Sequence, residues 1–547
     1  MHAAPRSLAL VFGCSLAGCL PPPLAGCEEA DCAEATTGSS GAAATVPTSG
    51  GGVQTATGEA TASSTGEPDP STGAATTGAM GEAPEIVKVE VDPNPIADNG
   101  LIAVEVETVH ADGVRMALDD GAVIELEVSE RDRFAGQIPA FTGLLNGDHS
   151  ALLTPWRSGI EGTIVAAPYT IDLPAPGSQG PWKPGDGIGG GTVAGLAVLP
   201  DRRVVELGNF VENGEPRCYL RRRDGDDASW PQEDFLKLLA GAHCTAVDLQ
   251  IDPVLGTMHV LVERKGGDGV RWRLGEIASW GKGAKEIAVG ALGDKGLALA
   301  LAEDGTRAVC GGVAGKVDVD AAAWLLRPGE EAKLRLFDYH PGGEDQVHKF
   351  SETARDCVFA GETLVLVGEA NGRHGVDVVV RDRYFILEHD IDADATQWTI
   401  AGPGPGSDTQ SHAFAVDVDA DGRYLLAGSS CGDVCDPAGE VLVYLPGGKL
   451  EWQATLGPLG SALAGPHDIA WSPAGYLVVA LAAFDGQSSR FKVQAFKPGV
   501  LAPQWTYLPL DMNGFQVALA LAIGRFGEVY AGGIAEGNFP AVAYIPG

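Results

Sequence analysis

Three histidines stand just ahead of predicted strands in the C-terminal part of this chain. His243 and His412 head the same phrase, His243-x-x-Ala246-Val247-Asp248 and His412-x-x-Ala415-Val416-Asp417. His467, in Pro466-His467-Asp468, is shifted by one or two positions. Imidazoles that converge on one pocket can ligate a metal or move protons. Equally, a repeated unit duplicates its turn residues without needing them for chemistry. A second group is Asp417, Asp419 and Asp421 in Asp417-Val418-Asp419-Ala420-Asp421-Gly422. Hard oxygens on alternate residues before a glycine turn have the opening spacing of a calcium loop. The carboxylate expected late in such a loop is missing, since Leu425 and Gly428 stand there. The competing reading is an Asp-Gly hairpin turn. Calcium is the one cofactor these residues suggest, and they do not require it. Gly187-Ile188-Gly189-Gly190-Gly191 has no buried strand before it and no helix after it, so it reads as a flexible link. The sequence holds no GxSxG, HExxH or P-loop pattern.

These residues sit on a repeat. Second strands align at Val204–Leu207, Met258–Leu261, Arg307–Cys310, Leu364–Val367, Tyr424–Ala427, Tyr476–Val479 and Val529–Gly532, and most follow an Asp or Gly turn. Third strands end in Pro-Gly at Pro328-Gly329, Pro446-Gly447, Pro498-Gly499 and Pro546-Gly547. Outer strands are expected at Trp230, Trp280, Trp398, Trp452 and Trp505, with Leu334 to Phe337 in the unit that lacks a Trp. Four short strands recurring about every 50 residues are the signature of a β-propeller. The seventh unit stops at its third strand. The orphan phrase around Trp182 is therefore expected to pair beside Val542 and Tyr544 and close the ring, removing the exposed sheet edges.

Arg6 and the short apolar run Leu8 to Ala17 precede Leu16-Ala17-Gly18-Cys19. That run is too short to span a bilayer. It has the form of an export signal. Small residues before a cysteine make Cys19 the expected lipidation site; the second copy, Leu24-Ala25-Gly26-Cys27, follows three prolines and is the alternative. Export permits disulfides. Six cysteines remain in the large domain, and Cys431 and Cys435 are spaced to close a small loop. Residues 33–83 are mostly Thr, Ser, Gly and Ala with a few Glu and Pro, which cannot bury a core, so 20–83 form a tether. Residues 84–176 carry short alternating strands such as Leu101 to Val109 and Ile124 to Val128, the pattern of an antiparallel sandwich. The formal net charge of -36 argues against nucleic acid, which needs a basic face. It also opposes an anionic lipid surface, leaving the N-terminal lipid as the membrane contact.

The lipobox, tether and repeat resemble exported bacterial lipoproteins of the δ-proteobacterial type, and residues 84–176 resemble bacterial immunoglobulin-like domains in strand pattern. The expectation is an all-β chain: signal and lipobox at 1–19, tether at 20–83, immunoglobulin-like sandwich at 84–176, and a seven-bladed β-propeller at 177–547. The resemblance implies a monomer anchored at the outer membrane or cell surface, with the periplasmic face as alternative. The anchor, the tether and the absence of a catalytic constellation point to a non-enzymatic module that binds a protein or glycan through the propeller. The alternative is an exported hydrolase, lyase or oxidoreductase working at the channel mouth.

Overall fold

The computed structural model describes residues 82–545 apart from a set of loop segments, the longest being 224–234, 338–348 and 401–409. Cys19, Cys27, almost all of the tether, Cys435, Trp230 and Trp280 lie outside the described residues. Every regular element among the described residues is a strand.

Residues 85–171 fold into two antiparallel sheets that share one core. In Gly100–Val109, Ile102, Val104 and Val106 turn inward while Ala103 and Glu105 face out. This is the period of two that a half-buried strand demands. Val114, Met116, Leu153 and Ile171 complete the core from the second sheet.

Residues 182–545 form seven four-stranded antiparallel sheets among the described residues, in a β-propeller-like arrangement. We number these sheets one to seven by their innermost strands: Thr192–Val198, Cys244–Ile251, Lys295–Leu301, Lys349–Ala360, Gln410–Val418, Pro466–Ser472 and Val517–Ile523. Each innermost strand touches the next, and the seventh touches the first. Buried apolar clusters fill the seams between neighbouring sheets, for example Val205, Leu207, Val260 and Val262 between sheets one and two. The last seam, between sheets seven and one, is filled by Val193, Val204, Tyr530 and Val542. Sheet seven takes its fourth strand from Trp182–Pro184, with Trp182 opposite Ala543 and Lys183 opposite Val542.

Two outer strands differ from expectation. Phe235–Leu236 and Lys285–Val289 fill the outer positions of sheets one and two, in place of segments centred on Trp230 and Trp280. Lys333–Phe337, Ala395–Ile400, Lys449–Pro458 and Trp505–Tyr507 lie where the sequence puts them.

All seven innermost strands break register on the same rung. The skipped residues are Ala194, Val247, Leu297, Arg355, Phe414, His467 and Leu519. An extra residue in one strand tightens the local twist and pushes its backbone over the partner strand. At Gly368, opposite the break in sheet four, a Cβ would lie 1.9 Å from the Thr353 carbonyl oxygen, and Gly311 and Gly533 face the same approach from Lys295 and Val517. That is why second strands run from large apolar residues into small ones. Gly368→Ala is expected to lower stability by about 2 kcal/mol, read as a shift of the denaturant midpoint at constant slope.

Candidate functional site at the channel mouth

The shared bulge sets two consecutive side chains to different tasks. All seven skipped residues are half-exposed on the strand that lines the channel. They divide into two arcs. Sheets seven, one, two and three present Leu519, Ala194, Val247 and Leu297, while sheets four, five and six present Arg355, Phe414 and His467. Side chains able to bind or react therefore occupy one continuous arc.

In that arc, Arg355 Nη2 donates to Glu369 Oε1 at 2.5 Å, and Glu369 Oε2 lies 2.8 Å from His412 Nδ1. Glu369 is on the second strand of sheet four and His412 on the innermost strand of sheet five, so the contact bridges the seam. Burial disfavours the ionised carboxylate, but the His412 hydrogen bond and the Arg355 charge outweigh it and hold Glu369 below its ordinary range. An ionised carboxylate only accepts, so His412 Nδ1 carries the proton in this contact. Phe414 lies nearly parallel to the His412 ring, with centroids 6.0 Å apart. His412 itself is 6% exposed and its Nε2 is buried.

The three histidines do not converge. His467 occupies the bulge of its strand, His412 stands two residues before the bulge of its own, and His243 stands four before. At about 3.3 Å per residue they are staggered over roughly 13 Å of depth. His243, in a left-handed conformation (φ 50), sits 3.5 Å from Glu215 Oε1 and takes no part in the arc. Among the described residues no group of three His, Cys, Asp or Glu is placed to hold a metal. Burial pushes His467 down to about 4, so it is neutral at physiological pH. The phrase shared by His243 and His412 misleads because it is out of structural register by two. Asp248 directly follows a bulge, whereas Asp417 is three residues past one.

The calcium reading is corrected as well. Asp417 accepts from Val418 N at 2.8 Å and, across the seam, from Trp471 N at 2.7 Å. Asp419 accepts from Asp421 N and Arg423 N, each at 2.9 Å, and from Arg423 Nε at 2.6 Å. Asp421 is exposed and pairs with Arg423 at 3.2 Å. Asp417 caps a strand edge, and Asp419 and Asp421 share Arg423 at the turn.

Asp417 belongs to a set that the sequence reading missed. Asp248 accepts from Leu249 N and from Leu299 N of sheet three, both at 2.7 Å. Asp356 accepts from Cys357 N at 2.8 Å and from Val416 N of sheet five at 2.7 Å. Asp468 accepts from Ile469 N at 2.7 Å and from Leu521 N of sheet seven at 2.6 Å. An innermost strand is a sheet edge, and its free N–H groups need acceptors. Each carboxylate satisfies two of them and latches one sheet to the next. The two described disulfides hold other seams: Cys218–Cys244 joins sheets one and two, and Cys310–Cys357 joins sheets three and four. Latches, disulfides and the Trp182 strand thus divide the seams with no overlap. The legible signal was a small residue two places before each Asp (Ala246, Ala354, Pro466), hidden because the repeat was aligned on its second strands.

The latching carboxylates face a cavity of about 390 Å³ on the channel axis. Burial raises all four, to about 6 for Asp248 and Asp417, to about 8 for Asp468, and well above the ordinary range for Asp356.

No family model matches this sequence, and no curated protein matches it. Solved structures show a similar fold at low identity. The polysaccharide lyase Uly1 is 12% identical with a TM-score of 0.45, over 66% of this chain and 90% of its own. An ulvan lyase is 8% identical with a TM-score of 0.46, over 67% of this chain and 96% of its own. The β-propeller domain of the Trilobed protease from Pyrococcus furiosus is 10% identical with a TM-score of 0.39, over 64% of this chain and 91% of its own. These likenesses concern architecture alone.

Proposed function

We propose that this chain is an exported, lipid-anchored enzyme whose closed seven-bladed propeller performs general acid–base chemistry at one side of its channel mouth. In this reading sheets one to seven are the blades, residues 84–176 an immunoglobulin-like spacer, and Cys19 the anchor to the outer membrane or cell surface. The two disulfides support an oxidising, exported setting. The observation that carries the chemistry is the Arg355–Glu369–His412 group. Taking charged groups out of water costs several kcal/mol each, and packed apolar residues would hold a seam as well. Such a group beside the mouth serves to fix one imidazole tautomer for proton transfer. The net charge of -36 favours a neutral or cationic ligand over a polyanion.

The second reading is the non-enzymatic one, a protein- or glycan-binding module. The near-complete burial of His412 favours it. Purified full-length protein, assayed against neutral glycans, anionic glycans and peptides, separates the two. Acid–base catalysis predicts a turnover that falls about 100-fold or more in His412→Ala and in Glu369→Gln, with the fold intact by circular dichroism. Saturable binding without turnover, unchanged in both variants, establishes the binding module instead.

A further inference from the structure

We infer that Asp356 is a positioning residue for His412: its carboxylate sets the spacing across the seam that lets Glu369 reach the imidazole. The inference deepens the acid–base reading above and rests on its choice of site. Arg355 and Glu369 belong to sheet four, His412 and Phe414 to sheet five, so the group exists only while two separate sheets keep their offset. Asp356 directly follows Arg355, and its Oδ2 takes the N–H of Val416, two residues past Phe414 and four past His412. The bulge makes this possible, turning Arg355 toward its own sheet's Glu369 and the next residue toward sheet five. The other side of the strand is fixed too, because Cys357 is bonded to Cys310 of sheet three. Asp356 thus ties the two halves of the group together through backbone on the channel side, while the Ser411 hydroxyl, which accepts from Tyr384 N at 3.3 Å, ties them further out.

The molecule supplies its own control. Asp248 makes the same two contacts at the same distance from its bulge, but at the seam between sheets two and three. Asp356→Asn and Asp248→Asn are expected to lower the melting temperature by similar amounts. Only Asp356→Asn should disturb His412. The readout is the downfield Nδ1–H resonance of His412 in full-length protein carrying isotope-labelled histidine, assigned by its loss in His412→Ala. In Asp356→Asn this proton is expected to shift upfield and exchange with solvent about tenfold or more faster; in Asp248→Asn it should stay in place. Equal behaviour of the proton in the two variants overturns the inference. If Asp356→Asn does not fold, Asp356→Glu takes its place, since the longer side chain cannot hold both N–H groups at the present spacing. The measurement needs no substrate. It can fail while His412 proves catalytic, and it can succeed while the protein proves to be a binder.

Discussion

Removing the Cys218–Cys244 or Cys310–Cys357 bridge is expected to cost about 3–4 kcal/mol each. The bridged residues are 26 and 47 positions apart, so each bond forbids a large set of unfolded conformations. Both bonds also clamp seams that carry no aspartate latch, where the Asn209–Ala246, Val319–Ser351 and Arg327–Ile391 hydrogen bonds and apolar contact would remain. Cys218→Ser with Cys244→Ser should therefore loosen sheets one and two, and Cys310→Ser with Cys357→Ser sheets three and four. Differential scanning calorimetry with and without reductant gives the size of each effect. Hydrogen exchange gives its place: protection should fall first at the affected seam and persist in sheets five to seven. Melting that is indifferent to reductant and to both double substitutions would show that the bridges do not hold the ring.

The second large effect is a fall in stability from pH 6.5 to pH 8.5, centred on Asp468. Burial raises its folded-state value to about 8, against about 3.9 for an unfolded aspartate. The folded chain therefore holds a proton that the unfolded chain has released. The stability this brings is complete below the unfolded value and is lost as pH rises through the folded one. The neighbouring His467 acts oppositely and on the acid side. Its folded value of about 4 makes the neutral ring a source of stability above pH 6.5 that is lost as pH falls toward 4. Asp356 is raised by the same cause as Asp468, while Asp248 and Asp417, at about 6, act mainly below that window. Over pH 6.5 to 8 the Asp468 share is about 2 kcal/mol. Asp468→Asn should flatten the alkaline limb of the melting curve, because an amide does not titrate there. Asp468→Ala should cost about 3 kcal/mol near pH 6.5, since Ile469 N and Leu521 N lose their acceptor. Parallel pH profiles for wild type and Asp468→Asn would rule out this account.

Much of the frame could be read directly. Second and third strands follow from apolar runs between Asp-Gly and Pro-Gly turns, because strand period and turn chemistry are local properties. Pairing of Trp182 with the last strand was also readable, since an incomplete last unit and an orphan strand leave two edges that must meet. The outer strands of sheets one and two were misplaced because an outer strand buries only one face, so its pattern constrains its position weakly. The site was legible in its parts and wrong in its grouping. His412 was visible, but the sequence grouped it with His243 and His467 and set it apart from Glu369 and Arg355.

What the sequence determined by itself is the recurrence: strand lengths, turn positions, the glycines opposite five of the seven bulges, and an acidic surface. Each depends on residues close together along the chain. Tertiary structure alone decided which side chains meet across a seam. A bulge inserts one residue into a strand without changing its letters, so two identical phrases can stand two rungs apart and face different neighbours. That offset made Asp417 a latch where spacing suggested calcium. It brought Glu369, His412 and Arg355, spread over two sheets, into one hydrogen-bonded group.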